Sequence, residues 1–500
     1  MSKTLTISPF SRMEGDLEVK VELENGKITN VYSSGIMFRG FERILKGRDP
    51  MDSLVFTCRI CGICGLAHST AASNALKEAY KAEMPQNAYF SKNILLAIEN
   101  IANHLTQFYM FFLVDLLNKK YRGEPYYDEI VKRFTPFIGE SQKKVIQTRK
   151  NILKIMGIIG GKWPNSLVMQ PGGVTKTLNQ SEIVSCFGIL NESREFFEET
   201  LLGCPIENWL ENKSFNDIEK WIDDEKNAKS DLGIFIKTAH RIGLSKIGAG
   251  TKKLLSCGAY EEPDGTFWLK SGIYNGNRFP FEQIKVEEHI AHSWYEGYEG
   301  GIHPSKGITE PNTQKENAYS WSKAPRYNGE VIELGPLARM LVDHDLLTLD
   351  VFQKIGSSVF TRQLIRIHET IRLVDKLKSW LGKIDPEYPF YIKHHKIKEC
   401  TGIGLVEAAR GTLGHWVSIR NGKIFNYQII TPTTWNFSPR DSAGNLGVLE
   451  KSLTDIEIED PENPVEIYHV IRSFDPCMAC TVHAVRGKSE GICSHYQVEI

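Results

Sequence analysis

Residues 94–116 read ILLAIENIANHLTQFYMFFLVDL. Ile94, Leu95, Ile98, Ile101, Ala102, Leu105, Phe108, Tyr109, Phe112, Leu113 and Leu116 recur at steps of three and four. That is the period of an α-helix, and the stripe is wide enough to be packed deeply. One long helix is expected here. Its most apolar part, 110–117, is broken by Asp115. No stretch of the chain approaches the roughly 20 apolar residues of a membrane span.

Working outward, residues 140–157, 181–200 and 357–382 repeat the helical pattern, with Gly160-Gly161 and Gly172-Gly173 as breaks. The first forty residues have a different period. Leu17, Val19, Val21 and Leu23 alternate with Glu18, Lys20 and Glu22, a half-buried strand. Asn25-Gly26 then signals a two-residue hairpin, and the chain returns through Ile28 and Tyr32. Residues 253–333 read as loop-rich β structure, with turns at Pro263-Asp264-Gly265 and Asn275-Gly276. Further short strands are expected over 400–445. There is no internal repeat, low-complexity tract or linker. The expectation is a mainly α protein with small mixed β sheets (α+β). It would form a single domain over 1–500 on a helical-bundle body, with residues 1–50 as an N-terminal β element.

Composition narrows the function. The 500 residues are 41% hydrophobic and 24% charged, which excludes disordered and fibrous classes. Sixty basic residues against 61 acidic ones give a net charge of -1, which removes the footprint of a nucleic-acid or anionic-membrane binder. The N-terminus carries no apolar core of a secretory signal. The expected location is cytoplasmic, or membrane-associated through a partner.

The ten cysteines are placed unevenly. An N-terminal element reads Arg59-Ile60-Cys61-Gly62-Ile63-Cys64-Gly65, with His68 beyond it. A C-terminal element reads Asp475-Pro476-Cys477-Met478-Ala479-Cys480-Thr481-Val482-His483. Two residues between cysteines let both sulfurs turn toward one ion. Four thiolates select a soft or borderline metal: zinc, iron–sulfur, or nickel with iron. A structural zinc site is the plain reading of such pairs. Two features weigh against it. The pairs lie 413 residues apart, and Arg59, His68, Asp475 and His483 flank them, none of which a zinc staple needs.

These paired motifs resemble those of the large subunit of a [NiFe]-hydrogenase, and the resemblance runs the whole chain. It includes Arg12-Met13-Glu14-Gly15, Phe38-Arg39-Gly40-Phe41-Glu42 and the Gly172-Gly173 segment. It continues through Ala324-Pro325-Arg326-Tyr327, Gly335-Pro336-Leu337-Ala338-Arg339, Arg410-Gly411 with His415, and Pro432-Thr433-Thr434-Trp435-Asn436. The resemblance implies reversible oxidation of H2 to protons and electrons, in the uptake direction. Cys61 and Cys477 would be terminal nickel thiolates. Cys64 and Cys480 would bridge nickel to an iron carrying CO and CN ligands. Arg410 would hang over the open metal position and hold Asp475, and Glu14 would take the proton from a terminal thiolate. Glu42 and His483 would ligate a separate Mg or Fe ion. The implied partners are an iron–sulfur small subunit, forming a heterodimer, a maturation endopeptidase and nickel-insertion factors. The endopeptidase would remove the tail, 484–500, after His483.

Read without the resemblance, Glu14 is a surface carboxylate, Arg410 a salt-bridge partner, and His68 a packing or capping residue. Cys58, His394, His395 and the scattered cysteines read as structural. Two departures stand out. Asp16 replaces the histidine common after Glu-Gly, which resembles the cyanobacterial-type uptake enzymes and the cytoplasmic hydrogen sensors. Asn103 and Gln107 align where the family often has Asp and His, which puts the hydrogen bonding around Arg410 in question. The alternatives are a regulatory H2 sensor with the same site, a four-cysteine zinc protein, and a relative of the quinone-site subunit of respiratory complex I. The last lacks the paired cysteines, and all four are present here.

Overall fold

The computed structural model describes the backbone of residues 2–481 and the side chains of residues 3–479. The Cys480 side chain, His483 and the 484–500 segment lie outside the described residues. The protein is mainly helical, with several small antiparallel sheets, as the patterning requires.

Strands β1 (Ser2–Ile7), β2 (Leu17–Glu24) and β3 (Lys27–Gly35) form an antiparallel meander. Leu17, Val19, Val21 and Leu23 all point into the core, as alternation dictates. Asn25 and Gly26 both take positive φ, the geometry that lets a two-residue loop follow the twist of its strands.

The helical body is built on α1 (Gly65–Tyr80), α2 (Gln86–Leu105), α3 (Glu140–Gly160), α4 (Gln180–Glu195) and α5 (Val359–Gly382). Helix α2 packs against both α3 and α5. The expectation of one continuous α-helix to residue 116 is corrected. Thr106–Phe112 widens into π-helical turns and Leu113–Leu117 tightens into a 3-10 helix. Side chains from elsewhere cause the change. Gln142 donates to the Tyr109 carbonyl and Arg12 to that of Phe111, competing with the ordinary helical ladder. Asp115, which interrupts the apolar run, is buried between Arg12 and Arg472. The 181–200 expectation is trimmed in the same way: α4 ends at Glu195, and Phe196–Leu202 is again π-helical.

The strands expected to be short over 400–445 include the longest in the described residues. Strands β4 (Cys400–Ala408), β5 (Gly411–Arg420) and β6 (Lys423–Ile430) form a second antiparallel meander. Its strand β4 lies on α1, whose facing side is small: Ala71, Ala75 and Ala79. Gly404 permits the contact, because a Cβ there would overlap the Ala71 carbonyl. The packing has a consequence for the site. The tip of the β4–β5 hairpin carries Arg410, and the start of α1 carries Cys64.

Candidate metal centre

Cys61 lies in the turn that leads into α1, and Cys64 is the residue that caps that helix. Backbone N–H groups of Ile63 and Cys64 both point at the Cys61 sulfur, at 3.2 and 3.3 Å. Cys477 immediately precedes the short helix α6 (Met478–Thr481), and its N–H donates to Thr433 Oγ1 at 3.2 Å. The Cys61 and Cys477 sulfurs are 3.3 Å apart. The sulfurs of Cys61, Cys64 and Cys477 all lie within 4.8 Å of one another, and all three residues are buried.

The N-terminal loop closes on this cluster. The Glu14 carbonyl accepts from Met478 N at 2.8 Å and Ala479 N at 3.3 Å. Gly15, at φ 81°, allows it, since a Cβ there would overlap the Ala479 nitrogen. The Glu14 carboxyl is half-buried. Burial raises its pKa and the Cys61 thiolate raises it further, against a hydrogen bond from Gly62 and the charges of Arg410 and Arg39. Arg39, quoted above only as part of a motif, donates to the carbonyls of Ile60 and Arg59, both at 2.8 Å. It thereby anchors the backbone leading into Cys61.

Arg410 is fully buried. Its Nε donates to the Asp475 carbonyl at 2.8 Å and its Nη2 to Asp475 Oδ1 at 3.1 Å. Burial alone would lower its pKa. Asp475 and the thiolates of Cys477, Cys64 and Cys61 reverse that and hold the guanidinium firmly charged. Behind it runs a buried polar chain. Arg366 meets Asp475 Oδ2 at 3.5 Å and His104 Nδ1 at 3.4 Å. His104 Nε2 meets Glu369 at 3.2 Å, and Glu369 pairs with Arg339.

Asn103 and Gln107 do not bond Arg410. Asn103 donates to the Glu99 and Ile63 carbonyls, at 3.0 and 3.4 Å, and Gln107 donates to the Arg472 carbonyl. An ionised Asp at 103 could not donate to two carbonyls. His68 sits inside α1 and bonds His415 at 3.2 Å. Cys58 is buried, with its thiol directed to the Val55 carbonyl. Glu42 is also buried, in a separate cluster. It accepts from Ile429 N at 2.9 Å and from Thr309 Oγ1, near Gln428 and Lys323.

Two residues near the sulfurs escape a sequence reading. Glu99 accepts from Leu66 N, Ala67 N and Trp163 Nε1. Burial lifts its pKa to about 7 in spite of those donors. Its one signal is a carboxylate on a helix that is buried almost all round. Arg366 gives no signal beyond its charge within α5.

The donor set fits a soft-metal group. Three converging thiols stand beside a buried guanidinium, and Nη1 of Arg410 has no hydrogen-bond partner among the described groups. Fold and site together define a chain that can hold a soft metal through buried thiolates. The chain belongs to the nickel-dependent hydrogenase family, whose model matches residues 39–121 and 142–483. It is 30% identical to the periplasmic [NiFeSe] hydrogenase large subunit of Desulfomicrobium baculatum, over 97% of this chain and 96% of that one. It is equally identical to the uptake hydrogenase large subunit of Afipia carboxidovorans, over 98% and 96%. The solved Ni-Fe-Se hydrogenase of D. vulgaris Hildenborough superimposes with a TM-score of 0.82 at 29% identity, covering 97% of this chain and all of that one.

The chain is thus the large subunit of an oxidoreductase acting on H2, with a nickel–iron centre and a small-subunit partner. The zinc reading is set aside. The sensor reading is not favoured, since uptake enzymes stand among the relatives. No helix of the described residues is long and apolar enough to cross a membrane.

Proposed function

We propose that this subunit oxidises H2 in the uptake direction at a nickel–iron group held by Cys61, Cys64, Cys477 and Cys480. Cys61 and Cys477 are read as terminal to nickel, and Cys64 and Cys480 as bridging to an iron that carries CO and CN. The observation that carries this reading is the convergence of three buried sulfurs beside Arg410. When bound, the group supplies the electron-accepting half of heterolytic H2 cleavage.

The chain supplies the rest. Arg410 presents a fixed, buried positive charge beside the sulfurs. Its fork is held by Asp475 on one side, so the charge need not reorganise during reaction. Glu14 takes up the released proton at its carboxylate. Burial and the neighbouring thiolate bring its pKa up from the ordinary carboxylate range toward that of its donor, which suits a relay. Electrons leave to an iron–sulfur small subunit. Gly62 is exposed between the two cysteines, so a docked partner can approach the group closely there.

The same reading assigns Glu42 and His483 to a Mg or Fe ion; the buried Glu42 carboxylate beside Gln428 offers oxygen donors of the hard type such an ion takes. Residues 1–500 are read as one domain matured by nickel-insertion factors and an endopeptidase that cuts after His483. The enzyme is placed in the cytoplasm or at a membrane through its partner. Hydrogen-dependent dye reduction by the purified heterodimer tests the activity. Uptake with retained nickel is expected; a nickel-loaded complex inert toward H2 contradicts it. Intact mass of the active chain tests the processing, with an end at His483 expected and a full-length active chain as the contrary result.

A further inference from the structure

Helix α1 begins at Cys64, a residue type that seldom caps a helix. The first N–H groups of a helix lack internal partners, and a Ser, Thr, Asp or Asn at the cap ordinarily satisfies one of them. Here that place belongs to Cys64, which makes no side-chain cap bond. The acceptors come from another helix. Glu99 of α2 accepts from Leu66 N through Oε1 at 3.0 Å and from Ala67 N through Oε2 at 2.9 Å. The indole N–H of Trp163 fixes Oε1 at 3.1 Å. One turn further along α2, Asn103 donates to the Ile63 carbonyl at 3.4 Å. Two side chains of a single helix therefore grip the backbone on either side of Cys64. The carboxylate also suits the positive end of the α1 dipole.

We propose that Glu99 is a positioning residue: a cap supplied in trans that fixes the start of α1 and, through it, the direction of the Cys64 sulfur. Its effect on the metal group rests on the reading under Proposed function; the capping itself does not. Once ionised, above its pKa of about 7, Glu99 also places a buried negative charge near the Cys61 thiolate. Its loss draws electron density off the metals and raises the stretching frequencies of CO and CN bound to iron.

The test is Glu99→Gln in the purified heterodimer, with Glu99→Asp as the second variant. Gln keeps the shape but offers one acceptor oxygen in place of two, so one N–H of the first turn faces an amide donor. Amide hydrogen exchange should quicken across residues 65–68 while the rest of α1 stays protected. Infrared bands of CO and CN should shift to higher wavenumber in Glu99→Gln with nickel content retained, and kcat should fall by roughly tenfold to hundredfold, as for other misplaced catalytic groups. Asp keeps the charge and shortens the reach, so it should lose protection with a smaller band shift. Native exchange at residues 65–68 in both variants overturns the cap. Unshifted bands in Glu99→Gln overturn its influence on the metals. A wild-type complex with no CO or CN bands contradicts the Proposed function instead, and the exchange result still decides the cap.

Discussion

The sulfurs of Cys61 and Cys477 lie 3.3 Å apart across 416 residues of sequence. Replacing either cysteine, or Cys64, with Ala removes one of the three converging soft donors. Nickel content should fall to background and H2 uptake with it. Atomic absorption of the purified heterodimer checks this, and an active, nickel-loaded Cys477→Ala variant would contradict the ligand assignment.

Glu14→Gln keeps the shape of the relay and removes its titration. Uptake and isotope exchange should drop by about 10²–10⁴, the usual range for a lost general base. Nickel content should be unchanged. The sign of the pH effect is fixed by the raised pKa of Glu14. Only the ionised carboxylate accepts a proton, so uptake in the wild type rises with pH through a limb displaced upward from the usual glutamate value. That limb should vanish from the pH profile of the variant.

Asp475→Asn strips the counter-charge from two buried guanidiniums, Arg410 at 3.1 Å and Arg366 at 3.5 Å. Breaking a buried pair on one side costs about 3–5 kcal/mol. Thermal unfolding of the variant should begin well below that of the wild type. A variant of unchanged stability would show that Asp475 is not their partner in solution.

Gly15→Ala tests the closure from the other side. A Cβ at 15 meets the Ala479 nitrogen and must displace the loop from the Cys477 segment. Nickel retention should fall although no ligand is altered, and metal analysis before and after gel filtration measures it.

Much of this was legible in the sequence, where the signal was local. The 3.6 period of α2, the alternation of β2, the Asn25-Gly26 turn and the two cysteine pairs each depend on neighbouring residues alone. What escaped depends on distant partners. The π-helical turn after Leu105 exists because Gln142 and Arg12 take carbonyls there. Strand β4, Cys400–Ala408, packs on the small face of α1, a partner that its own sequence does not announce. Glu99 looks like any helical glutamate until α1 is set against it, and the Arg366–Asp475 contact joins α5 to a loop 109 residues further along.

The most direct test of the account is the metal inventory of the heterodimer, read together with its infrared spectrum. The account predicts nickel bound in proportion to the large subunit, with CO and CN stretches in a window where protein is silent. Zinc in place of nickel, with that window empty, would contradict it.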